Sequence, residues 1–396
     1  MNKPEILAPI RNWASLEACK NYADAVYFGC SDLSMRARSN NILLSELAKF
    51  VKKCHKFNIK SYLTLNSVIY NDDLNKAEKI IKSAKSAKVD AIIVWDPAII
   101  SLVKKYKMEF HISTQANISN WQTAKFYQDL GASRLVLARE LTLKQIREII
   151  SKVDIDIETF VHGAMCMAIS GRCLLSANLY NKSANCGSCA QPCRERWTIK
   201  SENGNILDNY GKYFYSSKDL CMIEHIDKLT KAGISSFKIE GRRRDPKYVE
   251  IASKCYREAL DSLYKNKYTQ NTIKNWKKEL INVYNRGFTT GFYFGDPKNE
   301  GITFDNADNI SPIKKISIGK VLHYYANLKA ASIILSHRGV KIGEKITFDG
   351  HKTYFDQIIS SIEIEGNKVN RGLKGNKIAV LVDKKVRNND NVYIYK

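Results

Sequence analysis

No apolar run in this sequence approaches the roughly 20 residues that a membrane-spanning helix needs. The opening MNKPEILAPI lacks the long apolar region and cleavage site of a signal peptide. A cytoplasmic protein with no membrane partner is therefore expected. There is no HExxH, no GxSxG and no GxxxxGK[ST], so the common metalloprotease, hydrolase and P-loop readings lack their residues. No Gly-rich phosphate loop follows the first apolar run, which weakens a doubly wound open sheet. Internal repeats and low-complexity tracts are missing as well. Acidic residues are the scarcer charge, 40 against 63 basic, leaving a net +23. That excess favours polyanions, of which RNA is the commonest in a cytoplasm. A biased genome scattering lysines over a solvated surface would give the same count. Lys49, Lys52, Lys53, Lys56 and Lys60 gather on one predicted helix, either for RNA or as its plain outer face.

With 396 residues and a hydrophobic share of 44%, the chain should form one large domain and a smaller one. Its first 265 residues alternate short β-branched runs with amphipathic stretches. Strands are predicted at residues 5–10, 25–30, 60–66, 91–96, 109–114, 134–138, 157–162 and 236–240, with helices such as 72–88, 121–130 and 143–153 between them. Eight such repeats are the count of a (β/α)8, TIM-like barrel. Asp245 followed by Pro246 supplies a helix cap and a first-turn proline. One interval breaks the rhythm. Between the seventh and eighth strands lies a Cys-rich insertion, residues 163–222, leaving from the catalytic face of the barrel, where a long loop is usually functional. Residues 266–310 read as a connecting helix and linker. From 311 to 396 the pattern changes to period two, in six short runs, and predicts a small all-β barrel domain.

Ten cysteines are many for a cytosolic chain. Cys19, Cys54 and Cys255 fall on apolar helix faces as small core residues, and Cys30 ends a strand. The other six are Cys166, Cys173, Cys186, Cys189, Cys193 and Cys221. Thiolates suit zinc or iron–sulfur clusters. A zinc ribbon would show two C-x2-C pairs, and Cys186–Cys189 is the single one. Unligated buried thiols are the plainest alternative, and Cys166 with His162 could also form a nucleophilic pair.

Charged residues collect at predicted strand ends: His111 on the fifth strand, Arg139 after the sixth, Glu158 and His162 on the seventh. Lys238, Glu240 and Arg242 share one face of the eighth. Two accounts fit. Lys238 and Glu240 form a salt bridge lining the barrel, or Arg139, Lys238 and Arg242 receive an anionic small molecule at its mouth.

Residues 158–176 (ETFVHGAMCMAISGRCLLS) resemble the signature of the collagenase-like "unassigned peptidase" family thirty-two. HISTQAN (111–117), NCGSCAQPCR (185–194), SKDLC (217–221), FKIEGR (237–242) and RGFTTG (286–291) follow in that family's order. The resemblance implies RNA or ubiquinone-ring hydroxylation more often than proteolysis. It implies a four-iron four-sulfur cluster on four of Cys166, Cys173, Cys189, Cys193 and Cys221, with Cys186 excluded as a variable position. It further implies site roles for His111, Arg139, His162, Lys238, Glu240 and Arg242. Length and the small β-domain resemble the tRNA branch, whose product is 5-hydroxyuridine at the wobble position, with prephenate as co-substrate. Residues 319–350 resemble the β-barrel of translation factors, which touches tRNA. Hydroxylation of a ribosomal cytidine, hydroxylation of the ubiquinone ring, and a collagenase-like protease are the alternatives, and a paralogue partner is a further expectation.

Overall fold

The computed structural model describes residues 3–30, 32–37, 41–206, 212–305 and 308–396. Residues 207–211 of the expected insertion and 306–307 of the expected linker lie outside the described residues. The chain divides into two compact units, Met1–Arg11 with Cys19–Ser311, and Asn12–Ala18 with Pro312–Lys396.

The first unit is a closed eight-stranded parallel barrel. Its strands are β1 (Glu5–Pro9), β2 (Ala25–Phe28), β3 (Lys60–Leu65), β4 (Ala91–Val94), β5 (Phe110–Ile112), β6 (Arg134–Val136), β7 (Asp156–Ala164) and β9 (Ser236–Ile239). Each pairs with its neighbour in sequence order, and β9 closes the ring against both β1 and β7. Strands β2 and β4 are buried at every position, as expected where helices cover a parallel sheet. Around them lie α2 (Leu47–Lys56), α3 (Leu74–Ser86), α4 (Pro97–Lys105), α5 (Trp121–Asp129), α6 (Leu143–Ile150), α8 (Ile226–Lys231) and α9 (Pro246–Tyr264); α1 (Trp13–Cys19) straddles the two units. On α2, Leu47, Phe50, Val51 and Cys54 are buried and Lys49, Lys52 and Lys56 exposed, an amphipathic stripe at helical spacing. Asp96 caps α4 and Asp245 caps α9, each with proline at the first turn.

The insertion makes its own structure on the end of β7. Beyond its contact with β9, β7 pairs antiparallel with β8 (Asp219–Cys221), and β8 pairs with β10 (Phe288–Thr289). The short helix α7 (Leu175–Tyr180) lies within it. Helix α10 (Gln270–Ile281) and β10, expected as connector, belong to the first unit.

The second unit holds an eight-stranded antiparallel sheet built from β11 (Lys315–Tyr325), β12 (Ala330–Ile334), β14 (Lys345–Asp349), β15 (Tyr354–Ile358), β16 (Ile362–Ile364), β17 (Asn367–Val369), β19 (Lys377–Leu381) and β20 (Asn391–Tyr395). A two-stranded ribbon joins β13 (Val340–Lys341) to β18 (Arg371–Gly372). Among the described residues no pairing connects the sheet's outer strands, β15 and β17. Ile318, Ile333, Ile346, Phe348, Val380 and Val392 are at the centre of its core. Among the described residues, no helix is long and apolar enough to cross a membrane.

Candidate functional site

A cavity of about 310 Å³ opens where the insertion meets the ends of the barrel strands. Thr114 and Gln115 reach it from beyond β5, Arg139 from beyond β6, and Ala164 through Ala168 from the end of β7. The remainder of its wall comes from the insertion, from Met35 and Arg36 after β2, and from Arg243 after β9.

Four thiols share this cavity: Cys166, Cys173, Cys189 and Cys193. Hydrogen bonds at or beside three of them, Cys173, Cys189 and Cys193, position the segments that carry them. Arg194, beside Cys193, donates to the carbonyls of Ser217 and Met165 and to Ser216 Oγ, which holds Cys193 near the turn that carries Cys166. The Cys173 amide donates to Asn185 Oδ1 at 3.1 Å. Cys189 Sγ accepts from the Gln191 amide at 3.4 Å. Gln191 adopts a left-handed backbone, φ 64°, directly before Pro192. Burial pushes the Cys193 thiol up; Arg194 opposes this, and Cys166, Cys189 and Cys173 add to it, the mark of thiols gathered within electrostatic reach. Among the described residues, no three His, Cys, Asp or Glu side chains are arranged to hold a single metal ion. A tetrahedral zinc would need thiolates each about 2.3 Å from one centre. A multi-iron cluster holds its thiolates further apart, and four thiols around one cavity suit that donor set.

Cys221 and His162 stand elsewhere. Cys221 is 4% exposed, and burial pushes its thiol up to about 11. Tyr256 Oη lies 3.9 Å from its sulfur and 3.4 Å from His162 Nδ1, while donating at 2.7 Å to the Val161 carbonyl. The His162 ring is boxed by Tyr248, Tyr256 and Phe288, and burial drives its pKa down to about 3. His162 is thus a neutral core histidine that does not reach the cavity, and a Cys166–His162 nucleophilic pair is not assembled. Cys186 does not line the cavity.

Nor do the charged residues of β9 meet at the mouth. Lys238 donates to Glu158 at 2.6 Å in the barrel interior. Arg134 bridges the same Glu158 to Glu5, which also accepts from Tyr62. The anticipated Lys238–Glu240 bridge is therefore replaced by a Lys238–Glu158 bridge, because Glu158 on adjacent β7, two residues before Phe160, the register partner of Lys238, comes within reach of the ammonium inside the barrel. His111 packs edge-on against Tyr62 at 4.6 Å. Burial, reinforced by Arg134 and Lys238, keeps it neutral. Glu240 sits just past β9, accepting from Tyr27 at 3.2 Å and from Arg36 at 3.5 Å. Burial would raise its pKa, but Arg36, Arg139 and Arg242 outweigh it. Arg242 is fully enclosed and held by neutral acceptors, Ser34 Oγ at 2.8 Å, Thr64 Oγ1 at 3.0 Å and Asn41 Oδ1 at 2.7 Å. Burial brings it down to about 10. It ties the loop after β2 to the barrel rather than facing the cavity.

Of the six anticipated non-cysteine residues, Arg139 alone lines the cavity; its guanidinium lies 4.0 Å from the Phe160 ring centroid. Arg36, Arg194 and Arg243 join it there, whereas among the described residues no His, Asp or Glu does. Arg194 and Arg243 directly follow the motif residues Cys193 and Arg242, so position within a motif could have found them. Arg36 carries no comparable signal. Gln115, inside the HISTQAN run, has its carbonyl oxygen held by Asn66 and Ser113, which turns its amino group toward Gly171 and the cavity.

The model of "Peptidase family U32" matches residues 11–303. An uncharacterized protease of Methanocaldococcus jannaschii is 42% identical over 99% of this chain and 98% of its own. A collagenase of Porphyromonas gingivalis is 38% identical, over 99% and 98%. The tRNA hydroxylation protein P1 of Bacillus subtilis is 36% identical, over 88% and 84%. Nearly three quarters of the sequence matches the family model, and full-length relatives exceed 30% identity: this chain belongs to peptidase family U32.

Proposed function

We propose that this protein hydroxylates RNA, converting the wobble uridine of tRNA to 5-hydroxyuridine with prephenate as co-substrate and a four-iron four-sulfur cluster on Cys166, Cys173, Cys189 and Cys193. One observation carries the reading: among the described residues, four thiols and four arginines line a single cavity that offers no His, Asp or Glu as a general base. Such a lining suits a soft metal cluster and an anionic co-substrate, and it lacks the base that a cysteine peptidase uses to activate its nucleophile. The relative named for tRNA hydroxylation supports the RNA substrate, as does the net charge of +23.

When bound, the cluster supplies one-electron chemistry. The chain's own part is positional. Arg139 and Arg36 present guanidinium forks to carboxylates. Gln115 offers a fixed amide donor to a carbonyl oxygen of base or co-substrate. Met35, Met165, Met167 and Tyr215 provide apolar walls that exclude water.

The test compares nucleosides by mass spectrometry in tRNA and ribosomal RNA from cells with and without this gene, in a background lacking every relative. Loss of 5-hydroxyuridine, or of a wobble modification built from it, is expected. Loss of a ribosomal hydroxycytidine instead would move the substrate. Unchanged nucleosides, with peptide cleavage that vanishes in Cys166→Ser, would overturn the proposal in favour of the peptidase names carried by two relatives.

A further inference from the structure

Beside the thiol cavity lies a second, of about 200 Å³. The two share Met35, Arg36, Cys189 and Arg243 as a common wall. Arg36, Arg243 and Lys182 line the second, together with Gly187, Ser188, Cys189 and Ala190, and among the described residues no Asp or Glu does. Glu240, outside the cavity, lies 3.5 Å from Arg36 and is engaged by Tyr27 as well. Arg243 is positioned by a neutral acceptor, the Cys189 carbonyl at 3.1 Å, which orients the guanidinium without neutralising it.

The walls are built, not incidental. Gly187 has φ +81°, and a Cβ there would lie 2.1 Å from the Ser34 carbonyl oxygen and 2.7 Å from the Ala37 amide nitrogen. The insertion is thus pressed against the loop after β2, which carries Arg36. Cations converging on a small preformed cavity repel one another, and an anion entering it relieves that repulsion.

We propose that the second cavity seats a phosphodiester of the RNA substrate, the one adjoining the nucleotide whose base enters the thiol cavity. The inference rests on the RNA reading above and adds to it a defined phosphate site. Two guanidinium forks, an ammonium and a hydroxyl can surround the several oxygens of a phosphate, where a carboxylate offers two. Enzymes that act on a base extrude it from the stack, so base and phosphate must be received side by side, as these adjoining cavities would do.

Lys182 is exposed, so its replacement spares the fold. Binding of a short hairpin with an anticodon loop is measured against salt for the wild type, Lys182→Ala and Lys182→Arg, using hairpins with either a normal phosphate or an uncharged methylphosphonate beside the target uridine. Lys182→Ala should lower affinity several-fold and reduce the log–log salt slope by about one. Lys182→Arg should restore both. The methylphosphonate should cost wild type at least as much as Lys182→Ala does, and should cost Lys182→Ala less than it costs wild type, since one of the three cations is already gone. Additive losses, or an unchanged slope in Lys182→Ala, would overturn the site while leaving RNA binding by the wild type intact. A raised KM for prephenate with unchanged RNA binding would hand the cavity to the co-substrate and also overturn it. Wild-type protein that ignores both hairpins would refute the RNA reading itself, and the phosphate site with it.

Discussion

Cys166, Cys173, Cys189 and Cys193 differ from Cys221 in what surrounds their sulfurs. The four line an open cavity, whereas Cys221 is enclosed beside Tyr256 with its thiol pushed up to about 11. Protein purified without oxygen should hold about four irons per chain, as a cubane cluster would. Cys166→Ser and Cys173→Ser should lose them, while Cys186→Ser and Cys221→Ser should keep them, by iron analysis and visible absorption; stoichiometric zinc without iron would refute the cluster. His162 makes a different prediction. Its folded pKa, about 3, lies below the ordinary value of 6.5, so protons bind preferentially to the unfolded chain between those limits. Stability from this group is complete above pH 6.5 and falls as pH drops toward 3, by about 1.4 kcal/mol per pH unit. His162→Phe, which keeps an aromatic ring inside the Tyr248–Tyr256–Phe288 box, should flatten urea-denaturation stability between pH 6.5 and 5 by that amount. An equal slope in both proteins would mean the ring is protonated in the fold. The sequence showed the cysteines as a group because six of them fall within one excursion. It could not separate Cys221 from the others, because spacing carries no information about burial. His162 misled for the same reason: two residues further along β7 the chain leaves the barrel, and a side chain on the near side of that point faces core.

At the scale of elements, all eight barrel strands were legible, since each is a short apolar run flanked by turns and, β7 with its insertion apart, leads into a helical stretch. β8, β10 and α7 were not. Three-, two- and six-residue elements have too little periodicity to register, and β8 exists because the end of β7 offers it an edge. The loop contact at Gly187 was equally hidden, being set by a meeting of segments some 150 residues apart. Its consequence can be measured. Gly187→Ala forces a side chain into the Ser34 carbonyl and into a left-handed backbone. Iron content should fall without any cysteine being changed, while far-UV circular dichroism stays at the wild-type value. Full iron in Gly187→Ala would show that the loop after β2 does not brace the cysteines.

For the molecule as a whole, charge is the property that composition alone made plain. With 63 basic residues against 40 acidic, tRNA affinity should fall steeply as salt rises, because every neutralised phosphate releases condensed counterions. Affinity indifferent to salt between 50 and 200 mM would make the basic surface incidental. The barrel's connectivity bears on something else, the order in which the protein is made. β7 must join β9, yet the whole cysteine-bearing excursion separates them along the chain. A ribosome adding roughly 5–20 residues per second therefore releases Cys166, Cys173, Cys189 and Cys193 several seconds before the last stave emerges. During that interval the nascent chain has thiols but no finished mouth to shelter them, so the ring closes over a cysteine segment already exposed to whatever in the cell delivers or strips metal.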